Sequence, residues 1–354
     1  MPNTSEFVPS ITDTEYNAML RNFDRKALVN LATDKATMPY LARAKLRDDL
    51  LLMLDDVGVP SAGDFYKALG THNAVLSGSF VACYLDPDFS ATWPAPVFGP
   101  RDVDMYVGKG KLDDMLSAIS QLSGGTMQMV SRSEAPTPTL DKDGEVLIGP
   151  VHSRFYNNAA IGAMARIRIR VPGKRSCYMD VMESKSKSAL MPIVRFNLTH
   201  LRAAISFEGI LDLHPEWNHD RKTYASPRVK RSQAVDIDED FVSPVEKFYS
   251  KYRNRGYEVV EGDLVDDTEP HVCRESTCCP LTLRSTVDLG VRFTPITEEA
   301  AIRLCHGPPQ LLADPIVYWT HGGKCMYSGD ETVDPVVYDS EGVSGDHMPA
   351  AVET

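Results

Sequence analysis

The chain has no run of 18 or more apolar residues, so the sequence predicts no membrane-spanning helix. Its start, Met1 to Ser10, is polar and lacks the apolar core of an export signal. There is no internal repeat, which argues against a solenoid or propeller. There is no Gly-x-Ser-x-Gly elbow, no Walker loop and no dinucleotide fingerprint. Basic residues are in deficit: 37 Lys and Arg face 49 Asp and Glu, a formal charge of −12. That balance predicts no extended nucleic-acid surface and no attraction to anionic membranes, but it allows a local basic cleft. Seven cysteines, an odd number without an export signal, fit a reducing compartment. The expectation is an intracellular protein, cytoplasmic or nuclear.

What is present suits an ordinary globular protein. The 354 residues are 43% hydrophobic and 24% charged, enough to bury a sizeable core. From Gly329 onward there are seven acids and no Lys or Arg, so more than half of the net charge sits in the last residues. We expect four segments: an N-terminal helical segment (1–59), a core (60–210), a C-terminal α+β region (211–328), and an acidic, disordered tail (329–354).

Periodicity fills in the elements. Met38 to Val57 carries Leu41, Ala44, Leu46, Leu50, Met53 and Leu54 at helical spacing, stopped by Gly58 and Pro60. Ser61 reads as the N-cap of a short helix. Asn73 to Tyr84 reads as a buried strand turning tightly into a helix. The proline-rich stretch from Asp86 to Pro100 reads as loop. Arg101 to Val107 alternates as a strand, and Leu112 to Leu122 is helical. Ser131 to Pro150 reads as a loop or hairpin. Met164 to Val171 and Cys177 to Met182 form a hairpin across Pro172-Gly173-Lys174. Helices are expected over Asn197–Gly209, Phe241–Arg255 and Thr297–Cys305, and an exposed crossing over Arg221–Asp240.

The residues that carry chemistry are Leu76-Ser77-Gly78-Ser79, then Asp102-Val103-Asp104, then Met179-Asp180-Val181. Asp102 and Asp104 are two apart on a strand, so they share a face and lie roughly 6.5–7 Å apart. Asp180 on an adjacent strand would bring three carboxylates to one place. Such a cluster repels itself unless cations fill it, and hard oxygen ligands suit Mg²⁺ or Mn²⁺. Two ions about 3.5–4 Å apart can hold a triphosphate and activate a hydroxyl. Gly78 at the strand-to-helix turn lets backbone approach a phosphate, and the Ser79 hydroxyl adds a hydrogen bond.

This order of motifs resembles the nucleotidyltransferase superfold, the polymerase-beta-like group that includes poly(A) and CCA-adding enzymes. The segments LSGSFVACYL, PRDVDMYV, Asn197-Leu-Thr-His with LHPEW, the His271–Pro280 region and Trp319–Cys325 are also similar to a group of basidiomycete fungal proteins. The resemblance implies an α/β (α+β) fold with a mixed sheet and flanking helices. It implies metal-dependent transfer of a nucleotidyl group from an NTP to an acceptor hydroxyl on RNA, protein or a small molecule. Asp102, Asp104 and Asp180 would be the metal triad, with Asp180 helping to deprotonate the acceptor. Gly78 and Ser79 would seat the nucleotide phosphates. The alternative is a catalytically inactive binding or scaffold protein of the same fold.

Charges nearby have two readings each. Arg166, Arg168 and Arg170 face one side of their strand, as a basic wall for phosphates or as a solvated face with ion pairs. Lys185 and Lys187 follow the Asp180 strand and are candidate nucleotide-binding residues, though Lys-Ser-Lys is also an ordinary loop. Arg221 to Arg231 reads first as a solvated segment. Finally, His271, Cys273, Cys279 and Cys325 supply the four N or S ligands of a structural Zn²⁺; the other reading is buried, apolar free cysteines. Cys305 and His306, adjacent in sequence, do not face each other on a helix.

Overall fold

In a computed structural model the described residues are 23–33, 39–86, 102–134, 139–140, 146–147, 160–174, 176–215, 221–225, 244–260, 270–277, 279–328, 332–333 and 335–344. The expectations for the 87–100 loop, for 226–240 and for the last ten residues lie outside them.

The fold is mixed α/β, built on an eight-stranded sheet. Its strands are β1 (Val75–Ser77), β2 (Asp102–Val107), β3 (Met127–Glu134), β4 (Ile161–Ile169), β5 (Cys177–Ser184), β6 (Ala203–Ile205), β7 (Gly209–Asp212) and β8 (Arg292–Pro295). They lie in the order β8-β7-β6-β1-β2-β5-β4-β3. Within this sheet β2 and β5 run parallel, with Asp104 opposite Asp180, while every other pair is antiparallel. The parallel pair needs a crossover, which is supplied by a helix, β3 and β4.

The two faces of the sheet are covered differently. Odd-numbered residues of β2, β4 and β5 (Val103, Met105, Ala165, Ile167, Met179 and Val181) point into one apolar core. Helices α1 (Arg25–Thr33), α2 (Pro39–Asp56) and α3 (Ala62–Thr71) pack there, joined by α5 (Leu112–Leu122). The helical stripe of α2 is met except at Ala44, where Ala42 is buried instead: Leu46, Leu50 and Leu54 are fully buried, each contributing about 1.5–3 kcal/mol. The N-terminal helices therefore share the core of the sheet. The Tyr84 hydroxyl fastens the layer by donating to the Leu46 carbonyl at 2.6 Å and accepting from Arg25. Ser61 precedes α3 at φ 45° but makes no side-chain capping bond.

The other face takes the C-terminal half of the chain. Trp319, Val317 and Val337 pack with Val75, Tyr106, Met182 and Leu190. They belong to a three-stranded sheet of Arg284–Ser285, Val317–Trp319 and Val337–Asp339. The acidic stretch thus differs from the expected disorder at Val337–Asp339. Val337 is buried, and Asp339 accepts from the Ser186 hydroxyl and from the Glu341 and Val343 amides. Hydrogen bonds at the chain reversal offset the cost of burying that carboxylate.

Two further differences have local causes. Asn197–Gly209 is not a helix: a single turn at Thr199–Leu201 gives way to β6 and β7. Ala203, Ala204 and Ile205 are all buried, and the Ser206 hydroxyl accepts from the Glu208 and Gly209 amides to close the hairpin. Ser131 to Glu134 belongs to β3, paired with β4, while Thr139–Leu140 and Val146–Leu147 do pair as a small hairpin. The other helices form as Pro244–Arg253 (α6) and Glu298–Leu304 (α7), the latter capped by Thr297. Among the described residues no helix is long and apolar enough to cross a membrane.

Candidate functional site

The site begins with β-strand alternation. Asp102, Asp104 and Tyr106 leave β2 on the face opposite Val103 and Met105. Asp180 leaves β5 on the same side, because the parallel register sets it directly opposite Asp104. Adjacent strands lie about 4.8 Å apart. The three acids singled out from the sequence therefore converge on one patch. Asp180 is almost wholly buried, with 1% of its side chain exposed, whereas Asp102 is 35% exposed.

The glycine beside them is fixed by sterics. Ser77 lies opposite Asp104, so the chain leaving β1 turns across that carboxylate. Gly78 makes the turn at φ +67°, and a Cβ there would stand 2.1 Å from Asp104 Oδ2. Only a residue without a side chain lets helix α4 (Gly78–Tyr84) begin so close to the acid. Ser79 follows, mostly buried. The Ser77 hydroxyl donates to the Ala203 carbonyl at 2.6 Å, tying β1 to β6.

One arginine meets the cluster. Arg166 on β4 is opposite Asp180; its Nε lies 3.3 Å from Asp180 Oδ1 and an Nη 3.8 Å from Asp102 Oδ2. One guanidinium thus spans two of the three acids and offsets part of their repulsion. Its neighbours do something else: Arg168 lies over the Tyr178 ring and Arg170 is exposed. Of the alternating arginines, Arg166 is the one that meets the acids, while Arg168 and Arg170 make up the rest of the strand face.

Lys185 and Lys187 are not brought to the acids. The backbone beside Lys187 packs against Gly108, and the Lys109 amide donates to the Ser186 carbonyl. Both lysines thus lie past the C-terminal end of β2, about 13 Å along the strand from Asp104. Lys187 pairs with Glu341 at 2.6 Å. The Lys185 ammonium is pushed below its usual range by burial and by Arg195. Counting along the chain from Asp180 leads away from the patch, because β5 itself carries the chain to the opposite edge.

Sequence reading gave α6 as a helix but did not point to it as part of the site. The Lys251 ammonium is lowered by its packing and by Arg255, while Asp102 and Asp104 act to raise it. Tyr252 is buried, its hydroxyl pushed up by burial, and it feels the same two acids. Burial and the Asp104 and Asp180 charges likewise raise the Tyr106 hydroxyl. Behind Tyr252, His200 stacks on Tyr257 at 4.2 Å and shares a 2.8 Å hydrogen bond with Thr223. No local motif marks α6; only its amphipathic pattern and its Lys-Tyr pair were available as signal.

The second candidate cluster lies in the C-terminal lobe. Ligand atoms of His271, Cys273, Cys279 and Cys325 all fall within 4.8 Å of one another, a His/Cys set able to bind a metal such as zinc. Burial acts to raise the Cys279 thiol, but the Arg274 and Leu281 amides with His271 and Cys325 bring it down to about 7. Burial pushes Cys325 up. Cys305, the exposed cysteine just after α7, stands apart from this set.

No family model matches the chain, and no curated protein matches it.

Proposed function

We propose that the chain is a metal-dependent nucleotidyltransferase acting on an NTP, with Asp102, Asp104 and Asp180 as the metal-binding acids. The observation that carries this reading is the shared face of the three carboxylates, with Asp104 and Asp180 in direct register and Gly78 pressed against Asp104. The donor set fits a hard divalent cation: carboxylate oxygens cluster where a guanidinium already offsets their charge. Bound Mg²⁺ or Mn²⁺ would supply charge neutralisation for the triphosphate and acidify an acceptor hydroxyl. Asp102, the most exposed of the pair contacted by Arg166, would face incoming nucleotide. Asp180, buried and held by Arg166, would keep a fixed orientation and accept the proton of the acceptor hydroxyl. Gly78 and Ser79 would leave backbone open to the phosphates. Lys251 is better placed than Lys185 or Lys187 to meet phosphate charge, since it senses Asp102 and Asp104. The acceptor could be RNA, protein or a small molecule.

A non-catalytic scaffold of the same architecture is the competing reading. Calorimetric titration of each NTP in the presence of Mg²⁺ separates them. The enzyme reading expects binding that needs Mg²⁺ and disappears in Asp102→Ala/Asp104→Ala. Absence of any Mg²⁺-dependent NTP binding by the wild type would sink it.

A further inference from the structure

We propose that His271, Cys273, Cys279 and Cys325 bind one structural Zn²⁺, which clasps the C-terminal lobe to the face of the sheet that carries the acids. These four residues take no part in the nucleotidyltransferase reading, and either proposal can fail without the other.

The geometry is specific. In a tetrahedral Zn²⁺ site with Zn–S near 2.3 Å and Zn–N near 2.1 Å, the ligand atoms are about 3.6–3.8 Å apart. Cys325 Sγ lies 3.5 Å from Cys273 Sγ and 3.4 Å from His271 Nε2, and all four ligand atoms lie within 4.8 Å. The sulfur separation is far beyond the 2.05 Å of a disulfide, and these cysteines are free thiols. Three soft thiolates and one imidazole select zinc over Mg²⁺ or Ca²⁺. Four protein ligands fill the tetrahedron, leaving no position for substrate, so the site is structural. Its ligands bracket a long folded segment that contains β8, α7 and two strands of the three-stranded sheet: His271 to Cys279 come before that sheet, and Cys325 after its central strand.

What the ion would hold is visible in the contacts. The Gly322 amide donates to the Pro280 carbonyl, and Arg284 pairs with Trp319 across the sheet. Trp319 is fully buried against the main sheet. Two residues on, His321 Nδ1 lies 3.2 Å from the Arg202 guanidinium, which flanks β6. A metal tying Cys279 to Cys325 would therefore fix the segment that docks Trp319 and His321.

The test uses the full chain. Elemental analysis should find one zinc per chain after exhaustive dialysis. Co²⁺ exchanged into the wild type should give the intense visible bands and sulfur charge-transfer band of a tetrahedral thiolate site. Chelation should speed amide exchange at least tenfold at Gly322 and at Thr286, whose amide donates to the Val317 carbonyl. Cys325→Ser and His271→Ala should lose the metal, while Cys305→Ser keeps it. A chain that retains no zinc, or a pale octahedral Co²⁺ spectrum, overturns the proposal. The Co²⁺ spectrum decides the matter even where the variants do not fold.

Discussion

Replacing Gly78 by Ala probes the site with one methyl group. Two costs arise there. Holding a non-glycine residue at φ +67° costs about 1–2 kcal/mol. The added Cβ also stands 2.1 Å from Asp104 Oδ2, where ordinary contact begins at 3.4 Å. Over an ångström of movement must therefore come from the carboxylate or from the start of α4. Mg²⁺ tolerates little departure from ligand distances near 2.1 Å. Gly78→Ala should thus weaken Mn²⁺ binding at least tenfold, about 1.4 kcal/mol, and lower stability by about 1–3 kcal/mol. Gly110→Ala is the matched control: its φ is +76°, but a Cβ there meets nothing within 4 Å. It should pay the backbone cost and leave Mn²⁺ binding unchanged. Urea denaturation and Mn²⁺ titration followed by electron paramagnetic resonance measure both effects. Equal Mn²⁺ affinity in the two variants would refute the close packing of Gly78 on Asp104.

Other consequences follow from burial and pairing. Arg166→Ala leaves the buried Asp180 carboxylate without its guanidinium. Because Arg166 is 41% exposed, the expected loss in metal-free buffer is about 1–2 kcal/mol rather than the 3–5 of a fully buried pair. Added Mg²⁺ should recover part of it in a thermal melt; no recovery would count against metal at the acids. His200 keeps its ring neutral down to about pH 3, because burial and then Arg255 and Lys251 lower its pKa from 6.5. Between those values the unfolded chain binds the extra proton, so this stability is complete above pH 6.5 and is lost as pH falls toward 3. His200→Phe should flatten the urea midpoint against pH by up to about 1.4 kcal/mol per unit. Tyr84→Phe, which removes a buried hydroxyl bonded to Leu46 and Arg25, should cost about 1–2 kcal/mol in the same measurement.

The acids were legible in the sequence because each piece is local. Strand alternation puts Asp102 and Asp104 on one side, and Gly-Ser after a buried strand marks a tight turn. Their meeting with Asp180 depends on β-register, which the flanking apolar residues largely specify. Arg166 was visible as part of a charged face, but its contact with Asp180 needed the β4–β5 pairing. The Asn197–Gly209 segment reads as helix because Leu198, Leu201 and Ile205 fall at helical spacing; the Ser206–Gly209 turn and pairing with β1 override it. Lys185 and Lys187 look close to Asp180 along the chain, yet an extended strand carries them to the other end. Lys251 and Tyr252 carried no motif, since only tertiary packing brings them within electrostatic reach of Asp102 and Asp104. The His/Cys set was readable by residue type, but the distance in sequence from Cys279 to Cys325 hid its compactness.

The central claim is that Asp102, Asp104 and Asp180 form one divalent-metal nucleotide site. Counting Mn²⁺ bound in the presence of an NTP analogue that cannot release pyrophosphate tests it most directly. The account predicts two Mn²⁺ per chain with the analogue, and loss of both in Asp104→Ala. A wild type that binds no Mn²⁺ with the analogue, or an Asp104→Ala variant that binds it unchanged, would contradict the account.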